Sequence, residues 1–317
     1  KVFSRLNYFE DAGDAGDYWI YYPPYKNRIF TSLGEQARIW VEENGAVSAT
    51  IGVSLQLELP EEGTLAGRST VTRGLPVEVY YTLVQDSDRV EVKVKLTNTV
   101  KDHRLRILFD SGENTDFVES AGHFGVDRRP VAKGGKFYPE MQTLPMGYFV
   151  QRGGLGIVHN AFCEHEGLDN ESGTLAVTVM RCVKNIICTE FRSAGKFLHE
   201  DGGQSLGEHV YEYALTFGGE MFPAAERFNA PVKAVQISRG EGTELPLEKS
   251  FLEVGGVVVS AVKRACDSDE TVVRMFNPTD ETKRVALRGT EVNLNEEELG
   301  EFDGSVGPNK IVSVKIR

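Results

Sequence analysis

The chain has 317 residues, of which 40% are hydrophobic and 26% charged, and its formal net charge is -12. That apolar content argues against a disordered chain, and no apolar run approaches the roughly 18–20 residues of a membrane-crossing helix. The acidic balance argues against a nucleic-acid binder, because affinity for phosphate backbones comes from clustered Lys and Arg. At a soft scale of about 150 residues per domain, the length predicts two domains.

In chain order, the first feature is an acid-rich stretch. Phe9-Glu10-Asp11-Ala12-Gly13-Asp14-Ala15-Gly16-Asp17 precedes the aromatic cluster Tyr18-Trp19-Ile20-Tyr21-Tyr22-Pro23-Pro24. Four carboxylates spaced by Gly and Ala predict an exposed loop, and two roles are open to it. It could be a structural turn with Asp side chains capping backbone N–H groups, or a sugar-facing edge where acids accept hydroxyls and aromatic faces stack. Its spacing does not match a calcium loop.

Next comes a period-two pattern. Val47, Ala49, Ile51, Val53, Leu55, Leu57 and Leu59 alternate with small or polar residues, as do Val90, Val92, Val94 and Leu96 with charged ones. Such alternation predicts strands with one buried face. Further strands are predicted at Val77–Val84, Leu105–Phe109, Tyr148–Gln151, Gly156–Asn160, Thr174–Met180 and His209–Phe217, then at Val257–Lys263, Thr271–Phe276, Lys283–Leu287 and Ile311–Ile316. Turn signals such as Glu62-Gly63, Gly134-Gly135, Gly153-Gly154 and Asn277-Pro278 separate them. Helix signals are nearly absent, with one short turn predicted at Leu294–Phe302. The fold class is therefore all-β: a large sandwich over 1–217, a crossing segment over 218–249, and a small sandwich over 250–317.

Candidate chemistry is sparse. There is no phosphate-binding glycine loop and no Gly-x-Ser-x-Gly elbow. His159, Cys163, Glu164, His165 and Glu166 crowd one segment, but their spacing matches no usual zinc pattern, and a solvated strand end is expected. Arg181 ends the apolar strand Thr174–Met180, where a surface charge or a ligand contact are both open. Cys163, Cys182, Cys188 and Cys266 form no Cys-x-x-Cys pair, so buried free thiols and a cytoplasmic location are expected.

Several stretches taken in order resemble the C-terminal half of glycoside hydrolase family 38, the class II α-mannosidases. They are Phe9–Asp17 with Pro23-Pro24, His103-Arg104-Leu105-Arg106, Phe124–Pro130, Leu175–Arg181, Leu206-Gly207-Glu208-His209, Leu245-Pro246, Ser260–Lys263 and Arg274–Thr279. The resemblance implies a galactose-mutarotase-like supersandwich followed by a small β-sandwich. It also implies that the zinc ion, the nucleophile and the acid/base group belong to an N-terminal domain whose His-x-Asp segment has no counterpart here. On that basis the chain holds no cofactor and no catalytic residue, is inactive alone, and begins within the supersandwich, as its start at Lys1 also suggests. Its expected partners are that N-terminal catalytic domain and a mannoside, with a homo-oligomer also admitted and neither nucleic acid nor membrane. By the same resemblance, substrate contacts fall to Arg181 and to Tyr18 or Trp19 beside Asp17. A free-standing carbohydrate-binding or adhesion module is the alternative, and a mutarotase-type epimerase a third.

Overall fold

A computed structural model describes residues 2–132, 143–187, 198–236, 246 and 248–316. The Gly134-Gly135 turn, Cys188 and part of the 218–249 stretch lie outside the described residues. The chain divides into two compact units: Lys1–Ser120 with Arg128–Ala230, and Ala121–Asp127 with Pro231–Arg317.

The first unit is an antiparallel sandwich. One sheet has six strands in the spatial order Leu144–Pro145, Glu164–Gly167, Thr174–Cys182, His103–Asp110, Leu6–Gly13 and Phe30–Thr31. The other has nine, in the order Gly125–Pro130, Phe117–Gly122, Phe149–Arg152, Leu155–His159, Gly207–Thr216, Arg89–Asn98, Thr72–Val84, Ser48–Pro60 and Arg38–Asn44. The period-two residues meet between them. Leu105, Ile107 and Phe109 come from one sheet, and Val77, Val79, Val92, Val94, Ile157 and Leu215 from the other. Burying each such side chain contributes about 1.5–3 kcal/mol, so the alternation in sequence is also the main source of stability.

Some expectations need correcting. Leu6–Gly13 is a strand, not part of a loop. Arg38–Asn44 is an edge strand exposed along nearly its whole length, so it shows no amphipathic signature. Met221–Asn229 forms a helix in the stretch expected to cross between units. Pro223 lies in its first turn, where a missing N–H costs nothing. The helix lies on the sheet through Met221, which fills the space left by Gly156: a Cβ there would stand 2.6 Å from the Met221 Sδ. Phe222 meets Phe149 edge-on, with ring centroids 5.1 Å apart.

The second unit has a five-stranded antiparallel sheet in the order Val258–Arg264, Thr271–Phe276, Ile311–Ile316, Thr290–Val292 and Glu298–Glu301. The helical turn expected over Leu294–Phe302 is thus replaced by a strand. Asn293 organises the preceding turn, its Oδ1 accepting the N–H groups of Asn295 and Glu297. The core is Val273, Met275, Val285, Leu287, Phe302, Val306 and Val314. Asn277 is fully buried, and its Nδ2 donates to the carbonyls of Glu281, Val306 and Gly307. The Asn277-Pro278 turn is therefore pinned from within. The discontinuous piece Ala121–Asp127 contributes Phe124, which packs edge-on against Phe276.

Candidate functional site

Three strands of the six-stranded sheet bring the conspicuous polar residues together at one end. Pairing aligns Ala12 with Arg104 and Arg181, Gly13 with His103 and Cys182, and Glu10 with Arg106. Directly opposed residues share a face, so arginines and acids from distant parts of the chain line up in rows.

On one face, Arg106 donates from Nε and Nη2 to Glu10 Oε1 and from Nη1 to Glu166 Oε2. The charge-assisted fork is nearly buried. Burial alone would depress the Arg106 pKa, but the two carboxylates outweigh it and raise it. Arg104 lies with its guanidinium carbon 3.5 Å from the centre of the Tyr21 ring. Burial, with Arg106 close by, lowers its pKa.

On the other face, Asp11 is ion-paired with Arg68 and accepts His103 Nδ1–H at 2.5 Å. His103 Nε2–H donates to Asn98 Oδ1 at 3.2 Å. Burial works against a charged ring here, yet the Asp11 carboxylate and the Cys182 sulfur raise the His103 pKa to about 10. The imidazole is thus held as an imidazolium by two acceptors. Asn98 Nδ2 goes on to the carbonyls of Gln204 and Ser205, and Gln204 Nε2 to Asp102 Oδ1.

The segment 14–22 is the end of this arrangement nearest solvent. Arg181 Nε donates to Asp14 Oδ2 at 2.8 Å, and its Nη2 donates to the Asp17 carbonyl at 2.8 Å. Asp14 Oδ1 accepts the N–H groups of Gly16 and Tyr22. Asp17 Oδ1 accepts those of Trp19 and Ile20. Asn185 clasps the same turn, its Nδ2 donating to the Gly16 carbonyl while its own carbonyl accepts Tyr18 N–H. Gly16 is required by closeness, because a Cβ would stand 2.0 Å from the Ile20 carbonyl oxygen. Asp11, Asp14 and Asp17 are each only 1% exposed, which corrects the expected exposed acid loop.

The four expected contact residues therefore take different places. Asp17 is buried beneath the turn and Arg181 lies behind it. The Tyr18 hydroxyl is tucked against Gly203. Trp19 projects outward and is 66% exposed. A cleft of about 360 Å³ opens beside the turn, lined in part by Asp14, Ala15, Asp102, Asn185 and His199. Asp14 and Asp102 are the residues that sequence reasoning did not single out. Their only signal was a place in an acid-rich or His-flanking stretch, since the partners that give them meaning come from remote strands.

The His159–Glu166 segment is a solvated strand end only in part: Asn160, Ala161 and Cys163 are exposed, while its histidines are not. His159 and His165 are 1% exposed. Burial, with His165 beside the first and Arg129 beside the second, lowers both pKa values to about 4. His159 Nδ1 accepts the Phe162 N–H. Among the described residues no three His, Cys, Asp or Glu side chains are grouped to hold a metal ion. The thiols also differ from expectation: Cys182 is buried, whereas Cys163 and Cys266 are exposed. No helix among the described residues is long and apolar enough to cross a membrane.

Comparison with known proteins places this all-β fold beside glycosyl hydrolases. The pattern of the glycosyl hydrolases family 38 C-terminal beta sandwich domain matches residues 256–314. A relative from Halalkalibacterium halodurans bearing the name "Putative mannosylglycerate hydrolase" is 24% identical over 91% of this chain and 34% of its own length. The crystal structure of an alpha-mannosidase from Enterococcus faecalis V583 superposes with a TM-score of 0.89 at 26% identity, covering all of this chain and 39% of that one. A second structure, of a glycosyl hydrolase family 38 protein from Enterococcus faecalis, gives 0.88 at 25% identity and covers 41% of its chain. Residues 256–314 thus match the C-terminal beta sandwich domain of glycosyl hydrolase family 38, and the whole chain is similar in fold to part of these family 38 and alpha-mannosidase structures. It spans between a third and two-fifths of the length of these relatives.

Proposed function

We propose that this chain is the non-catalytic C-terminal region of a cytoplasmic, zinc-dependent, retaining α-mannosidase-like glycosidase, and that its turn 14–22 forms part of the wall of the mannoside pocket. In this proposal the large sandwich is mutarotase-like, and zinc and the carboxylate nucleophile are supplied by the N-terminal part of the longer polypeptide. The observation that supports the reading best is the exposed Trp19 on a turn tied down by Asp14 and Asp17, of which Asp14 and Ala15 line a cleft. An indole held this way offers a flat apolar face to sugar C–H bonds at little entropic cost. Arg181, Asp14 and Asp17 act by fixing the turn, and Tyr18 forms its rim.

The test uses the polypeptide as encoded with its upstream catalytic part, assayed on an aryl α-mannoside. Trp19→Ala raises KM roughly tenfold, the loss of one aromatic contact of about 1.4 kcal/mol, at unchanged melting temperature. The 317-residue chain alone gives no turnover. Wild-type kinetics in Trp19→Ala would remove the turn from the pocket, and turnover by the chain alone would overturn the non-catalytic assignment.

A further inference from the structure

The first unit holds a second cleft, of about 590 Å³. Asp102 lines the cleft beside the 14–22 turn and Glu113 lines this one, and strand His103–Asp110 runs between them. The eight residues of that strand, at a rise of about 3.3 Å each, set the two openings roughly 25 Å apart. The second cleft lies over strands Phe117–Gly122 and Phe149–Arg152, where Glu119 stands opposite Gln151. Residues 113–116 and the Gly153-Gly154 turn form its rim.

The rim is held from below by Arg152, which is 2% exposed. Its Nη1 donates to the carbonyls of Leu168 and Thr174 at 2.7 and 2.9 Å, and its Nη2 to Asn114 Oδ1 and the Thr115 carbonyl at 2.8 and 3.0 Å. Its Nε donates to Thr115 Oγ1 at 3.4 Å, so the donors of a buried guanidinium are spent on fixing the rim. Gly153, at a φ of 57°, packs so closely that a Cβ would stand 2.8 Å from Ser111 Oγ. Above this floor Phe117 lines the cleft and is 39% exposed. The Arg128 guanidinium carbon stands 4.4 Å from its ring centre. Gln151 Nε2 donates to Glu119 Oε2 at 2.6 Å, and Arg128 Nε lies 3.6 Å from Glu119 Oε1. An aromatic ring is thus bordered by a guanidinium, a carboxylate and an amide that are linked to one another.

The lining decides the class of ligand. With one ring among polar groups, a lipid or an apolar peptide has little surface to bury against. Guanidinium and carboxylate groups stand side by side, so neither a simple anion nor a simple cation is matched. A neutral saccharide meets both features, because its hydroxyls donate and accept and its C–H face packs on an aromatic ring. We propose that this cleft is a second saccharide-binding site, separate from the turn 14–22, and that its ligand is a neutral oligomannoside. Phe117 carries the sugar's apolar face, and Glu119, Gln151 and Arg128 take its hydroxyls. A site of this kind raises the effective concentration of a long substrate near the enzyme without touching the bond that is cut. The inference rests on the mannosidase-like reading for the choice of mannose and goes beyond it in placing a second site.

The test uses the polypeptide as encoded with its upstream part. The probe is a thio-linked α-mannotriose, which resists hydrolysis, carrying a photoreactive diazirine. Irradiation labels residues within 113–119 and 149–154, and excess unmodified thio-linked α-mannotriose suppresses that labelling. Phe117→Ala and Gln151→Ala each lower it about fivefold at unchanged melting temperature, the loss of one ring contact or one hydrogen bond. Trp19→Ala leaves it as in the wild type. Labelling that spares both stretches overturns the proposal, and so does labelling there that persists undiminished in both variants. Turnover of an aryl α-mannoside by the same polypeptide is read separately. An active enzyme unlabelled at these stretches removes the second site and leaves the mannosidase-like reading in place. An inactive polypeptide labelled there keeps the saccharide site and removes that reading.

Discussion

Arg181 and Asp14 show how a buried charge pair shapes a site without taking part in chemistry. Asp14 is fully desolvated, and its two oxygens are shared between Arg181 and the backbone of its own turn. Removing one partner of such a pair leaves an uncompensated charge, at a cost of about 3–5 kcal/mol. Arg181→Ala is thus expected to lower the chain's stability to urea by an amount of that order. Arg181→Ala combined with Asp14→Asn recovers part of it, because the amide needs no counter-charge. A single variant as stable as the wild type would show that the pair does not hold the turn. A kinetic defect in Arg181→Ala alone therefore mixes loss of the turn with loss of a contact, which is why Trp19 is the cleaner probe.

Elements differed in how far local sequence revealed them. Ser48–Pro60, Thr72–Val84 and Arg89–Asn98 were legible because one face is buried and the other wet, and that contrast is written as alternation. Leu6–Gly13 was not, since its acids are buried against Arg68, His103 and Arg106, partners that only tertiary pairing supplies. Arg38–Asn44 hid for the opposite reason, being exposed on both faces. At the candidate site the same limit applied: Trp19 and Arg181 were visible as residue types, but the network joining Arg181 to Asp14 was not. The helix Met221–Asn229 was concealed by its shortness and by Pro223. It is held by packing more than by propensity. Met221→Ala should therefore destabilise the chain by roughly 2–5 kcal/mol, as for other buried methionines, while leaving the strand signal in circular dichroism intact. A loss well under 1 kcal/mol would mean the helix is not seated on Gly156.

For the molecule as a whole, the histidines oppose one another in their response to pH. His103 has a folded pKa raised from 6.5 to about 10. Its contribution is full below pH 6.5 and is lost as pH rises toward 10, where the folded form gives up its proton. His159 and His165 have folded values lowered from 6.5 to about 4. Below pH 6.5 the unfolded chain binds protons that the folded chain refuses, so stability falls as pH drops toward 4. Thermal stability should therefore peak near pH 6.5. His103→Gln should flatten the alkaline limb, and His165→Leu should flatten the acid limb, whatever each does to the maximum. A profile whose alkaline slope survives His103→Gln would show that the imidazolium does not cause it.

The discontinuity of the second unit has a consequence for how the chain is made. Synthesis runs from the N-terminus, so Ala121–Asp127 leaves the ribosome about a hundred residues before Pro231–Arg317. Phe124, held at a φ of 60°, then waits for Phe276 while the large sandwich closes around the strands that flank it. Residues 250–317 produced alone would lack that aromatic wedge. Conversely, a nascent chain stalled before Phe276 would display Phe124 to chaperones. The C-terminal sandwich is in this sense prepared early and finished last, and the order of translation is built into its packing.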